Sequence, residues 1–336
     1  RKLRFNYGKL SYELGYHDIA LTELQDFIQR YTASVYQKEA REVLIGVMTK
    51  TSNYKDAIVM LETIKNPSEQ VKAYYPPILY GRATELINDG MLSEAEELLD
   101  KALSAPQNQQ VLPLVQFWKG ELAFRSGRYD EAIRYYREYL SSGTVNGEVN
   151  PANAHYNLGY AYLKKEMYAP AFTEFEKVVK LPSARSTAVE QDAFLRSADA
   201  QYMQRSYGKA DVMYDQVIRM GWAASDYASF QRAMIAGIKN SAEKIRLLQQ
   251  MQRNYASSSL VPDANLEIAN TLLSNEQFRE AIPYLNAVLK DSRSEALKPG
   301  AYLKAGIAHY NLGNNTEALS QYNTLLQQYP NSSEAE

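Results

Sequence analysis

Apolar residues along this chain recur three and four positions apart, and the recurrences come in pairs. In AHYNLGYAYLKKEMYAPAFTEFEKVV, residues 154–179, two such runs are joined by a short polar stretch. Gly159 and Ala171 stand where a helix core normally wants bulk. Spacing of three and four marks one face of an α-helix, so each pair of runs predicts a helix, a turn and a second helix. Aligned on Ala171, the second run is found again around Ala20, Ala57, Ala95, Ala132, Ala210, Ala281 and Ala318. Successive spacings from Ala20 to Ala210 are 37, 38, 37, 39 and 39 residues, and Ala281 to Ala318 is again 37. One degraded copy, SAEKIRLLQQM, fills the gap between Ala210 and Ala281, with Lys244 near the alanine's place. Nine units follow.

Each unit repeats one internal order. The first helix carries a small residue: Gly8, Ala83, Gly120, Gly159, Ala198, Ala269 or Gly306. A short turn with Gly or Asn and an aromatic comes next, then the second helix. Pro76, Pro77, Pro113, Pro151, Pro262 and Pro299 fall where first helices should begin, the position at which a missing N–H costs nothing. Ser93 and Glu96 have the spacing of a capping box at the second helix of their unit. The seventh unit reads as irregular, with a shortened turn and no alanine. No run alternates β-branched and polar residues, so the chain is predicted all-helical. A lone hairpin cannot bury its apolar face, and stacking on its neighbours makes a solenoid. The small residues are predicted contact points between helices, where Ala171→Leu would overpack at a cost of about 1–3 kcal/mol.

YNLGYAYLKKEMYAPAFTEFEKVV and NLGNNTEALSQYNTLLQQYP resemble the tetratricopeptide repeat family, and the resemblance extends over essentially the whole chain. It implies a right-handed α-solenoid of about nine repeats, at 1–37, 38–75, 76–112, 113–149, 150–189, 190–224, 225–260, 261–297 and 298–336. The period of about 37 residues exceeds the family's usual 34. In that family one face of the first helix lines a concave groove that receives a peptide, loop or helix of a partner protein. Mapped here, that face holds Tyr80 and Thr84, then Phe117, Trp118, Glu121 and Phe124. Tyr156, Asn157, Tyr160 and Lys164 follow, and then Asp199 and Tyr202. Aromatics on a face that the repeat core does not need would form an exposed patch for binding. A narrow groove merely filled by long side chains is the alternative. The junctions QRYTAS, QRNYASSSLVPDA and QQYPNSSEAE are similar to those of repeat proteins of the bacterial cell envelope, which implies a periplasmic or outer-membrane-associated setting, with the cytoplasm as the alternative. Glycan binding in the manner of outer-membrane repeat proteins, with Trp118 as a stacking platform, is a second function. Self-association through the apolar solenoid ends is a third.

Composition narrows these choices. A net charge of −2 without a basic stripe argues against nucleic acid as partner. The absence of cysteine removes disulfides and thiolate chemistry. The only histidines, His17, His155 and His309, lie in different units. No metal-binding HExxH or phosphate-binding glycine motif is present, so neither catalysis nor a cofactor is expected. The acidic stretch SEAEELLD reads as a solvated helix face. No apolar run reaches the roughly 18 residues that would cross a membrane. The chain begins at RKLRF and stops after YPNSSEAE, which reads as an excerpt of a longer protein. Tyrosine, at 27 residues, is the outlier. Tyr54, Tyr129, Tyr168 and Tyr207 enter second helices, and Tyr136, Tyr214 and Tyr322 lie within them. These read as core aromatics whose hydroxyls reach the surface or a partner group.

Overall fold

The paired periodicity becomes eighteen α-helices and one 3-10 turn (Glu295–Leu297) in a computed structural model that describes residues 1–64, 66–142, 144–179 and 181–336. Among the described residues there is no strand, only an isolated bridge between Asn146 and Val149. The chain divides into two compact units, Arg1–Met167 and Tyr168–Glu336. The first holds α1 (Lys2–Glu13), α2 (His17–Arg30), α3 (Gln37–Lys50), α4 (Tyr54–Thr63), α5 (Glu69–Asn88), α6 (Leu92–Ser104), α7 (Leu112–Arg125), α8 (Tyr129–Ser142) and α9 (Pro151–Lys164). The second holds α10 (Tyr168–Val178), α11 (Ala188–Met203), α12 (Tyr207–Arg219), α13 (Ser225–Gly237), α14 (Ser241–Asn254), α15 (Val261–Ser274), α16 (Phe278–Lys290), α17 (Lys298–Asn311) and α18 (Asn315–Gln328). Within each unit every helix packs on the one before and the one after it. That nearest-neighbour order is how thin hairpins share a core.

The packing rule joins three positions. A small residue in the first helix is followed twelve residues later by the alanine of the second helix and sixteen residues later by a large side chain. Ala20, Ala57, Ala95, Ala132, Ala171, Ala210 and Ala281 are fully buried, and so are Leu24, Leu99, Tyr136, Phe175, Tyr214 and Leu285. At Gly120 a Cβ would lie 2.9 Å from the Tyr136 ring, and at Gly306 it would lie 2.3 Å from the Tyr322 ring. The missing side chain is the slot into which the ring fits.

Three local expectations need correction. Pro76 and Pro77 do not begin a helix. They lie inside α5, which starts seven residues earlier because the Ser68 hydroxyl accepts the Val71 N–H at 3.3 Å. Pro151 is the first residue of α9, while Pro113, Pro262 and Pro299 are second residues of α7, α15 and α17. Ser93 and Glu96 form no capping box: α6 starts at Leu92 with no side-chain cap, and Glu96 is drawn away by Lys119 and Arg128. A complete capping box stands at Thr187 and Glu190 before α11. The seventh turn is not shortened either. It keeps the three residues 238–240, as 126–128 do between α7 and α8.

Candidate functional site

The first helices α5, α7 and α9 carry most of the expected binding face, and the structure sorts its residues by what they touch. Tyr80 and Trp118 stand on successive first helices, 38 positions apart, and the indole Nε1 donates to the Tyr80 hydroxyl at 3.3 Å. Both are partly exposed. On α9, Tyr156 and Tyr160 form an edge-on pair with ring centroids 5.0 Å apart, also partly exposed, and Lys164 beyond them is exposed.

The remaining positions serve packing. Phe117, expected on the open face, is only 4% exposed, edge-on to Tyr136 at 5.8 Å and Tyr139 at 5.4 Å. One residue's difference in register, about 100° around the helix, separates it from Trp118 and turns it into the hairpin. Phe124 packs on Tyr129 at 5.6 Å, and in the second unit Tyr202 packs on Tyr207 at 5.5 Å. Each pair pins the end of a first helix to the start of its own second helix. Tyr12 and His17 repeat that arrangement at 5.9 Å. Tyr202 stands in a separate unit from the other candidates.

Glu121 and Asn157 are held in a polar tie. The Tyr136 hydroxyl donates to Glu121 Oε2 at 3.0 Å, Asn157 Nδ2 donates to the same oxygen at 3.2 Å, and Arg125 Nε donates to Oε1 at 2.8 Å. Burial, then the Glu121 charge, raises the Tyr136 hydroxyl well above its ordinary value, so it remains a donor. The second unit repeats the device. Tyr214 donates to Asp199 at 2.6 Å, Tyr227 of α13 donates at 3.0 Å, and Arg196 pairs with the other oxygen at 2.6 Å. Burial raises Asp199 above the usual carboxylate value against the pull of these three partners. The hydroxyls of Tyr136 and Tyr214 thus reach partner groups, as their positions in the sequence suggested.

A buried lysine escaped the sequence reading. Lys119 on α7 is 4% exposed and pairs with Glu96 at 3.0 Å and Asp100 at 2.7 Å on α6. Burial opposes its charge, but hydrogen bonds to Asp100 and Glu96 outweigh that and raise its pKa. The available signal was the four-residue spacing of Glu96 and Asp100, which puts two carboxylates on one face of α6. SEAEELLD is thus only partly solvated.

Among the described residues no group of three His, Cys, Asp or Glu side chains could hold a metal ion. Among them, too, no helix is long and apolar enough to cross a membrane.

Sequence profiles described as the tetratricopeptide repeat match residues 80–147, 152–184 and 266–333, together half of the chain. The TPR repeat-containing protein YpiA of Bacillus subtilis is 21% identical over 309 residues, which cover 85% of this chain and 70% of that protein. A tetratricopeptide repeat protein from Parabacteroides merdae shares its fold with a TM-score of 0.54 at 15% identity, over 77% of this chain and 94% of that one. A signal-transduction ATPase with a tetratricopeptide repeat sensor, from Pyrococcus horikoshii, gives a TM-score of 0.57 at 13% identity, over 95% of this chain and 53% of that one. At such identities the solved structures establish the fold alone.

Proposed function

This chain belongs to the tetratricopeptide repeat family, and on that premise we propose that it is a non-catalytic interaction scaffold. It holds a peptide, loop or helix of a partner protein on the first-helix faces of its central repeats. One observation carries the proposal. Hairpin packing is completed by Phe117, Tyr136 and Tyr139, yet Tyr80, Trp118, Tyr156 and Tyr160 remain partly exposed on consecutive first helices. Large aromatics with a polar tip are the side chains that most often anchor an interface. They sit on helices already fixed by their neighbours, so little ordering is needed on the receptor side. A role in cell-envelope assembly, periplasmic or outer-membrane-associated, is part of the proposal on the strength of the tyrosine–proline–serine junctions alone.

Site-specific photocrosslinking in the source cell tests this reading. A photoreactive phenylalanine analogue at position 118 or 160 is expected to give a discrete partner adduct. The same analogue in place of Glu97, exposed on α6, is expected to give none. Trp118→Ala, with its helical spectrum intact, should then weaken the isolated partner's binding by about 2 kcal/mol or more, the scale of an aromatic anchor. Equal adducts at position 97, or unchanged affinity in the variant, would remove this face from consideration. Phe117 is unsuitable for the experiment because its truncation opens the core.

A further inference from the structure

We propose that the pocket between α1, α3 and α5 receives one cationic side chain, lysine or arginine, from a segment of a partner protein. The inference rests on the partner-binding reading above but concerns a different part of the first unit. The pocket begins at Gly46 of α3. A Cβ there would lie 2.8 Å from the hydroxyl oxygen of Tyr12 on α1 and 3.4 Å from that of Tyr74 on α5. The absent side chain lets both hydroxyls settle over the α3 backbone, and together they make the floor. Burial, with the Tyr74 hydroxyl beside it, pushes Tyr12 up to about 12, so the Tyr12 hydroxyl keeps its proton.

Above this floor is a space of about 290 Å³ whose walls hold Glu13, Glu39 and Glu42 against a single ammonium, Lys9. Lys9 is committed to Glu39 at 2.7 Å. Glu42 Oε1 is sheltered from solvent and has no hydrogen-bond partner among the described residues. A carboxylate oxygen kept from water without a donor is costly. An arriving ammonium or guanidinium supplies the donor and balances the excess negative charge, whereas an anion or a neutral amide does not balance it. The methylene stem of such a side chain is suited to the tyrosine rings and Val43, with its charged head toward the carboxylates. A protein segment is the natural source because three successive first helices wall the pocket. One of them, α5, also carries Tyr80 six residues beyond Tyr74.

The test uses the full chain and three capped peptides, acetyl-Gly-Arg-Gly-amide, acetyl-Gly-Lys-Gly-amide and acetyl-Gly-Gln-Gly-amide, in a ligand-observed NMR titration at low salt. The arginine and lysine peptides are expected to bind and the glutamine peptide not to. Glu42→Gln should weaken the cationic peptides about fivefold or more, the scale of one charge-assisted hydrogen bond. Glu97→Gln, on α6, should leave them unchanged. Should Glu42→Gln lose helical signal, Glu13→Gln on the exposed rim takes its place with the same expectation. Equal binding of all three peptides, binding of none, or affinity unaltered by the pocket variant overturns the proposal. These peptides carry nothing that fits Tyr80 or Trp118. Their failure therefore leaves the aromatic face standing, and failure of the crosslinking test leaves the peptide result standing.

Discussion

The hairpin of α7 and α8 and the hairpin of α13 and α14 have turns of equal length, yet they close differently. In the first, Gly127 at the middle of the turn is left-handed, with φ 74°. Ala132 is fully buried four residues after it leaves the turn, and Tyr136 fills the slot at Gly120. The same left-handed middle residue follows α1, α3, α5, α9, α11, α15 and α17. After α13 there is none. Ile238 stays helical, and Asn240 is extended with its side chain accepting the Glu243 N–H at 3.0 Å. Lys244 then stands in the alanine's place. Its stem crosses α13 where a Cβ on Gly237 would meet it at 2.6 Å, and its ammonium reaches Glu267 on α15 at 2.6 Å. The contrast shows that the buried alanine and the left-handed turn form one device. Where the chain gives up the turn, glycine moves to the end of the first helix and an aliphatic stem fills the space.

The largest test of this contrast replaces the side chain at each position. Ala132→Leu is expected to cost about 1–3 kcal/mol by overpacking, read as a lower urea midpoint. In a Glu267→Gln background, which removes the ion pair, Lys244→Met keeps the stem's volume and is expected to cost less than about 1.5 kcal/mol. Equal losses would mean that the two sites pack alike and the distinction is false. Next come the turns. Gly127→Ala should lose about 1 kcal/mol, because a Cβ is disfavoured at positive φ. Arg205→Gly, at φ 60°, should change stability in the opposite direction by up to about 1 kcal/mol. Lys239→Gly, in the turn without a left-handed residue, should only lose stability, by a few tenths to about 1 kcal/mol. Thermal midpoints of the three variants give the signs directly.

The smallest effect concerns how α13 is tied to α11 through Tyr227 and Asp199. Asp199 has a raised pKa in the folded chain, so folding favours its protonated form. Its contribution is therefore fully present below the unfolded carboxylate value, about 4, and is lost as pH rises through the folded value. Wild-type stability should fall slightly between those two values relative to Asp199→Asn, which cannot titrate. Parallel profiles of the two proteins, measured by urea unfolding from pH 3 to 7, would show that folding does not shift the Asp199 pKa.

The helical pairing, the spacing of the alanines and the core role of Tyr136 and Tyr214 could be read along the chain. Each depends on periodicity, and a helix turns periodicity into a face without help from distant residues. Trp118 was equally visible as a candidate, but its difference from Phe117 was not, because one step of register decides which ring meets Tyr136 and Tyr139. The fate of Ser93 and Glu96 was hidden for a related reason. A capping box competes with whatever cations a neighbouring helix supplies, and Lys119 and Arg128 belong to the next hairpin. Pro76 and Pro77 misled because proline marks a helix start only when no earlier cap is available, and Ser68 provided one. The pocket over Gly46 had no signature in any one repeat, since its floor and walls come from three helices. Sequence alone determined which residues share a helix face, because that follows from local geometry. Only tertiary structure decided which of those faces met a carboxylate, a ring or open space, because packing and ion pairing depend on groups far apart along the chain.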